Sequence, residues 1–156
     1  MITDLEEAVA AVVTAALDED ATIAAVPYAV RSSTTREEVP GNASVIAVRM
    51  QQGDRTMVAL LDGIAEIFVA TPANNEETSV AGHRLLEQAL DRVFSPGTTI
   101  GVGEAEQTIT EALSAEIEAR ITGYTGAGFF NQGWQPARED TYFQPSLTVK
   151  IGAVRD

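Results

Sequence analysis

His83 is the only histidine in this chain of 156 residues, and the chain contains no cysteine. A serine–histidine–aspartate triad would have to use His83, but its neighbours Gly82 and Arg84 form no nucleophile elbow, and no G-x-S-x-G sequence occurs. One histidine without cysteine does not supply the donor set of a structural zinc site. We therefore interpret His83 as a residue on the flank of a helix rather than as a catalytic base or a metal ligand.

The segment Gly101-Val102-Gly103 resembles part of a phosphate-binding loop. A Walker loop also needs a lysine followed by serine or threonine, and Lys150, the only lysine, is far away in the sequence. The glycine pattern of a dinucleotide-binding loop is incomplete as well. The segment therefore predicts a turn in front of a helix.

Several pairs of carboxylates are close enough in sequence to suggest acid–base chemistry. In a chain with 23 acidic residues such pairs arise by chance, so we interpret each as a solvated loop or helix start. Asp18, Glu19 and Asp20 follow a predicted helix, but three consecutive side chains cannot all turn towards one cation. The sequence thus predicts no catalytic residue, no cofactor and no metal site. The pairs considered are Glu37-Glu38, Glu76-Glu77, and Glu104 with Glu106.

Charge and hydropathy narrow the class of protein. The 23 acidic and 10 basic residues give a net charge of −13, and nine of the ten cations are arginine. A protein that grips duplex DNA needs clustered cations, which this chain lacks. No apolar run approaches the roughly 18 residues of a membrane span. The acidic start of the chain gives no sign of a targeting segment. We expect a soluble acidic domain with no membrane contact.

The elements that position these residues follow from periodicity. Helical spacing of apolar residues predicts three amphipathic helices, and Thr108 with Glu111 forms a capping box near the start of the third. Pro27 predicts that the first extended segment is an edge strand or contains a bulge. Gln52-Gly53-Asp54-Arg55 predicts a turn. The helices are expected at 3–18, 76–94 and 105–122, and extended segments at 22–31, 45–50, 57–61, 64–70, 98–102 and 146–154.

This order of elements predicts the fold class. Strands follow the first helix, two helices come next, and strands close the chain, which is typical of an α+β fold with a mainly antiparallel sheet and helices on one face. The length fits one domain spanning residues 1–156. Segments 57–61 and 64–70 are separated by Asp62-Gly63, and they could form two strands or one long bulged strand.

The segment 124–143 concentrates aromatic residues near the end of the chain, and Arg138 lies within it. Three interpretations are open: the rings complete the core, they form a protein interface, or they stack on a ligand. Core packing is the simplest of these. The aromatic residues are Tyr124, Phe129, Phe130, Trp134, Tyr142 and Phe143.

The overall layout resembles the small tail-terminator and tail-completion proteins of long-tailed bacteriophages and their prophages. The resemblance rests on the Pro-containing loop and strand 39–48, the strand 64–70 that leads into helix 76–94, and the aromatic, arginine-bearing segment and last strand within 134–154. It covers most of the chain as a pattern of elements, and 98–123 fits it less well. The family has no catalytic signature, so no functional residue is carried over.

The resemblance implies a structural virion protein and not an enzyme. Such proteins form a ring, usually of six subunits, that caps the tail tube and joins it to the head–tail connector. They assemble in the host cytoplasm, and DNA passes through the ring without being bound tightly. A domain of 156 residues has a radius of gyration of about 15 Å, so six of them enclose a hole that a duplex can pass. An acidic lumen would repel phosphate.

Closing a ring requires two different contact patches on each subunit. Arginine pairs with carboxylates in two-point contacts and suits interfaces better than lysine does. We therefore predict subunit contacts at the rims of the sheet and in the polar loops 31–44 and 51–56. The predicted interface residues are Arg31, Arg36, Arg49, Arg55, Trp134 and Arg138.

Other functions fit the same sequence. A different neck component or a tail-tube protein would share the layout, but a tube protein polymerises into long tubes. A small acidic ligand-binding domain or an enzyme that uses carboxylates would need a concave pocket. An acidic mimic of DNA would need rows of carboxylates along one face, whereas here the acids are scattered among alanine and valine.

Overall fold

Three helices and seven strands occur in the part of the chain that the computed structural model describes, namely residues 2–32, 43–57, 60–70, 76–95, 97–101, 103–121, 124–135 and 146–155. Side chains are described for fewer residues than the backbone, mainly in the helices and in the halves of the second and third strands that they cover. The helices are α1 Ile2–Asp18, α2 Glu76–Val93 and α3 Ile109–Arg120. The strands are β1 Tyr28–Arg31, β2 Ser44–Met57, β3 Leu60–Ala70, β4 Thr99–Ile100, β5 Gln107–Thr108, β6 Tyr124–Gln135 and β7 Ser146–Arg155.

The main sheet has the strand order β1-β2-β3-β7-β6. Its pairs are antiparallel except for β1 and β2, which run parallel with Tyr28 opposite Ser44 and Arg31 opposite Ala47. Strand β1 follows Pro27 directly and lies at the edge of the sheet, as predicted. The short strands β4 and β5 form a separate antiparallel pair. The predicted α+β class with a mainly antiparallel sheet is confirmed.

The helices form where the apolar period predicted them, with one correction. Helix α3 begins at Ile109 and not at 105, because Thr108 caps it. Oγ1 of Thr108 accepts a hydrogen bond from the Glu111 N–H (3.1 Å), and Oε1 of Glu111 accepts one from the Thr108 N–H (3.3 Å). The predicted capping box is therefore confirmed, and it satisfies two backbone donors that the helix leaves unpaired.

The predicted turn at 52–55 is wrong. Strand β2 continues through these residues to Met57, with Gln52 opposite Ile64 and Asp54 opposite Asp62. The pairing of β2 with β3 is shifted in register twice, between Met50 and Gln52 and between Asp54 and Met57. Strand β3 runs through Asp62-Gly63 from Leu60 to Ala70 and pairs with β7 without a register shift, so the predicted bulge is absent from this pairing. The predicted extended segment 57–61 is divided, because Met57 ends β2 and Leu60 begins β3.

One further predicted segment differs from the structure, and one strand was not predicted. Residues 21–23 form a 3₁₀ turn and are not extended, because the carboxylate of Asp20 caps the turn at the Thr22 N–H. Strand β6 was not predicted, since its glycines interrupt the alternation of apolar residues. It pairs with β7 along its length, with Phe129 opposite Ile151.

Among the residues whose side chains the structure describes, the hydrophobic core lies between the helices and one face of the sheet. Each described helix contributes a buried stripe, and the sheet contributes alternate residues of β2 and β3. Phe129 of β6 packs edge-on against Phe94, with ring centroids 5.5 Å apart, so one aromatic residue of 124–143 does complete the core. No helix in the described residues is long and apolar enough to cross a membrane. The largest fully buried side chains are Leu5, Leu17, Ile23, Ile46, Ile67, Leu86, Leu90, Ile109, Leu113 and Ile117.

Candidate assembly surface

His83 lies on α2, and only 5% of its surface is exposed. Its Nε2 atom is 2.7 Å from Oε1 of Glu87, one helical turn later. The helix position agrees with the sequence-based interpretation, but the side chain is more buried than a helix flank implies. The pair is local to one helix and ties the imidazole to α2.

The three consecutive acids at the end of α1, Asp18, Glu19 and Asp20, turn towards three different partners. Asp18 accepts a hydrogen bond from the Tyr28 hydroxyl (3.1 Å), and both carboxylate oxygens of Glu19 accept from the Gly101 N–H (3.0 Å). Asp20 pairs with Arg92 of α2 at 2.7 Å. These contacts join the end of α1 to β1, to the segment after β4 and to the end of α2. Among the described residues, no group of three or more acidic or histidine side chains could hold a metal ion.

The same contacts shift two pKa values. Burial raises the pKa of Asp20, but hydrogen bonds from Thr22 and Arg92 outweigh it, and the net pKa lies below the ordinary value of 3.8. Burial and the hydrogen bond to Asp18 raise the pKa of Tyr28 to about 12. At neutral pH the Asp20 carboxyl is therefore ionised and the Tyr28 hydroxyl is protonated. These are the forms that the ion pair with Arg92 and the hydrogen bond to Asp18 need.

Gly101 and Gly103 form the predicted turn before α3. Their φ angles are +85° and +63°, which residues with a side chain rarely adopt. A Cβ atom on Gly101 would lie 2.4 Å from the carbonyl oxygen of Ala105, so the 3₁₀ turn Gly103–Ala105 closes against this glycine. Gly101 is needed for a close backbone approach, and its N–H is already bonded to Glu19.

Strands β2 and β3 each have one fully buried side and one side whose described residues are half-buried or exposed. Ile46 and Val48 are fully buried beneath the helices, whereas the intervening Ala47 is half-buried and Arg49 is exposed. The register aligns the less buried residues of the two strands, with Ala47 opposite Phe68. We call this side the open face. The members whose side chains the structure describes are Ala29, Arg31, Val45, Ala47, Arg49, Glu66, Phe68 and Ala70.

Arg49 and Phe68 form the centre of the open face. The guanidinium carbon of Arg49 lies 5.9 Å from the centroid of the Phe68 ring, within the range of a cation–π interaction. Arg31 of β1 lies beside them, because it is paired with Ala47. A half-buried aromatic ring with arginines around it has the composition of the energetically dominant part of a protein interface.

Four of the six predicted interface residues lie on strands of the main sheet. Arg31 and Arg49 share the open face, so neighbouring strands bring together two residues that are distant in sequence. Arg55 lies within β2 and not in a loop, and Trp134 lies within β6 opposite Leu147. Arg36 and Arg138 lie outside the described residues, as does most of the predicted loop 31–44. The interface role of all six stays a prediction.

Sequence reasoning did not select Phe68 or Val45 as surface residues. The alternation of β3 gave a usable signal, because Glu66, Phe68 and Ala70 fall on one side and Ala65, Ile67 and Val69 on the other. Both sides are largely apolar, and the pattern alone does not show which one the helices cover.

The fold and this surface define an α+β domain whose helices cover one face of the sheet, while the described residues of the other face are half-buried or exposed. No protein-family model matches the chain, and no curated protein matches it either.

Proposed function

We propose that this chain is a structural virion protein that forms a ring on the end of a phage tail tube. The ring, of six subunits in the proposal, stops further growth of the tube, joins it to the head–tail connector and leaves a channel for DNA. The protein assembles in the host cytoplasm and resides in the virion. The single observation that supports this proposal best is the open face, which offers a surface for assembly on one side of the sheet.

The composition of the open face favours assembly over a monomeric role. Val45, Ala47 and Phe68 are only half-buried, although the equivalent residues on the other side of the sheet are wholly covered. Burying apolar area contributes roughly 25 cal/mol per Å². The hydrophobic effect therefore stabilises a contact in which a partner covers these side chains. The arginines on the same face add directional contacts.

The charge of the chain suits a channel through which DNA moves. A net charge of −13 disfavours the release of counterions by which cationic proteins hold phosphate. The ring thus guides the duplex without retaining it. In this proposal the partners are further copies of the chain, the tail-tube protein and the connector protein. No catalytic activity is part of the role.

A tube-growth experiment tests the proposal. The tail-tube protein of the same virion is polymerised alone, with this chain, or with an unrelated acidic protein of similar size, and tube lengths are measured by negative-stain electron microscopy. We expect shorter tubes and a ring at one tube end only when this chain is present. Incorporation of this chain along the tube would indicate a tube protein instead. Unchanged tube length without bound chain would contradict the proposal and favour a ligand-binding domain or an enzyme.

A further inference from the structure

Strands β4 and β5 form a hairpin that is separate from the main sheet. Each strand has two residues, and the 3₁₀ turn Gly103–Ala105 lies between them. We call β4, Gly101, this turn and β5 the small hairpin. An isolated two-stranded hairpin is at best marginally stable in water, so contacts with the rest of the molecule must hold the small hairpin closed.

Little apolar surface holds the small hairpin against the core. Ile100 is the only buried side chain among its described residues, and it belongs to the hydrophobic core. Thr99, Glu104 and Ala105 are exposed. Regions with few buried apolar contacts and solvent-exposed backbone hydrogen bonds open locally at a lower free energy than the core does. The small hairpin has these properties, whereas the three helices each bury an apolar stripe.

Glu19 holds the small hairpin from outside. Both of its carboxylate oxygens lie 3.0 Å from the backbone nitrogen of Gly101, which donates to them. The neighbouring Asp18 and Asp20 are bonded to β1 and α2, so the segment that carries Glu19 is fixed independently of the small hairpin. A hydrogen bond to an ionised acceptor is stronger than one between neutral groups. Glu19 is thus placed to set how often the small hairpin opens.

Two glycines leave the backbone around the small hairpin without packing constraints. Gly97 precedes β4 with a φ of +84°, and Gly103 begins the turn with a φ of +63°. A Cβ atom built on either glycine meets no atom of the described residues within 4 Å. Glycine adopts many backbone conformations at little steric cost, so both positions can change conformation without displacing a neighbour.

We propose that the small hairpin opens as one unit while the three helices stay folded, and that the carboxylate of Glu19 holds it closed. Opening breaks the hydrogen bond between Gly101 and Glu19 and removes Ile100 from the core. It also breaks the bond inside the turn, where the Glu106 N–H donates to the Gly103 carbonyl oxygen (3.2 Å). This movement lies within one subunit, so the inference is independent of the proposed function.

Amide hydrogen exchange of the variant Glu19→Ala tests the inference. Exchange rates are measured residue by residue by NMR in the unmodified chain and in the variant. The N–H groups of Gly101 and Glu106 should both exchange at least about tenfold faster in the variant, because a hydrogen bond to a charged group is lost from the closed state. The Glu106 N–H is bonded to Gly103 and not to Glu19, so its rate reports the opening of the whole unit.

The matched control is Glu118→Ala, which removes the same charge from α3. Glu118 is exposed and forms no hydrogen bond or ion pair within the described residues. This control should leave the exchange of Gly101 and Glu106 unchanged. Amides inside α1, α2 and α3 should keep their rates in both variants, and urea denaturation of each variant measures its global stability.

Three results would overturn the inference. Unchanged exchange in Glu19→Ala would show that Glu19 does not hold the small hairpin closed. Faster exchange at Gly101 alone would show that Glu19 satisfies one backbone N–H and controls no larger movement. Equally faster exchange inside the helices would show that the variant destabilises the whole domain and that the small hairpin does not open by itself.

Discussion

The guanidinium carbon of Arg49 lies 5.9 Å from the centroid of the Phe68 ring, across the pair of strands β2 and β3. The two residues belong to the side of the sheet that faces away from the described helices, while Ile46, Val48 and Ile67 on the other side are fully buried. An arginine stacked on a half-buried ring is worth about 0.5–1 kcal/mol at an exposed site. This is a small contribution to the free energy of unfolding.

Truncating Ile67 and Phe68, which are adjacent in β3 but lie on opposite faces, should change the free energy of unfolding by different amounts. Ile67→Ala should lower the free energy of unfolding by about 2–5 kcal/mol, since it leaves a cavity beneath the helices. Phe68→Ala should cost less than about 2 kcal/mol, because the ring is only half-buried. Urea denaturation of each variant under dissociating conditions measures both. Equal losses, or a larger loss for Phe68→Ala, would contradict the assignment of the faces.

Gly101→Ala should destabilise the protein more than Gly97→Ala. Both glycines have φ near +85°, so each substitution costs about 1–2 kcal/mol from backbone strain. At Gly101 the added Cβ would also lie 2.4 Å from the Ala105 carbonyl oxygen, whereas at Gly97 nothing lies within 4 Å. The midpoint of thermal unfolding measures the difference. Indistinguishable midpoints would show that the turn Gly103–Ala105 does not close against Gly101.

The ion pair between Asp20 and Arg92 predicts a loss of stability in acid. The folded-state pKa of Asp20 is lowered below 3.8, so its contribution is fully present above that pH and is lost as the pH falls through the lowered value. Asp20→Asn should reduce the free energy of unfolding by about 1 kcal/mol at neutral pH, and the deficit should shrink below about pH 4. Urea denaturation of the unmodified chain and of Asp20→Asn from pH 2 to pH 7 measures this deficit in the free energy of unfolding. A deficit independent of pH would contradict this.

The raised pKa of Tyr28 predicts that stability falls as the pH rises in the alkaline range. Its pKa is raised from 10.0 to about 12, so its contribution is complete below pH 10 and is lost as the pH rises towards 12. A titration of phenolate absorbance should show one tyrosine ionising near pH 12, and Tyr28→Phe should remove that step. If the variant instead lost a step near pH 10, the hydrogen bond between the Tyr28 hydroxyl and Asp18 would be refuted.

Local signals made the helices predictable. Helix α2 and the capping box of Thr108 with Glu111 depend on residues within a few positions of one another, so periodicity and cap chemistry were sufficient. The three acids at 18–20 were correctly expected to diverge. Their partners Tyr28, Arg92 and Gly101 could not be inferred, because pairings over such separations depend on how the elements pack.

Pairing between strands that are distant in the sequence determines the features that local patterns did not predict. Gln52 and Asp54 have turn-forming character, yet pairing with β3 holds them in an extended strand. The glycine-rich β6 is likewise held by β7. The open face depends on the same pairing, since Arg31 and Arg49 share it only after β1 and β2 align in parallel. Arginine content indicated both residues as interface candidates, but their juxtaposition required the fold.

Native mass spectrometry of the purified chain at several concentrations, followed by negative-stain imaging, tests the central claim most directly. The account predicts a closed complex of six chains of 16.5 kDa, about 99 kDa, with a central hole. Open-ended polymers that lengthen with concentration, or a chain that stays monomeric and also fails to bind tube ends, would contradict it.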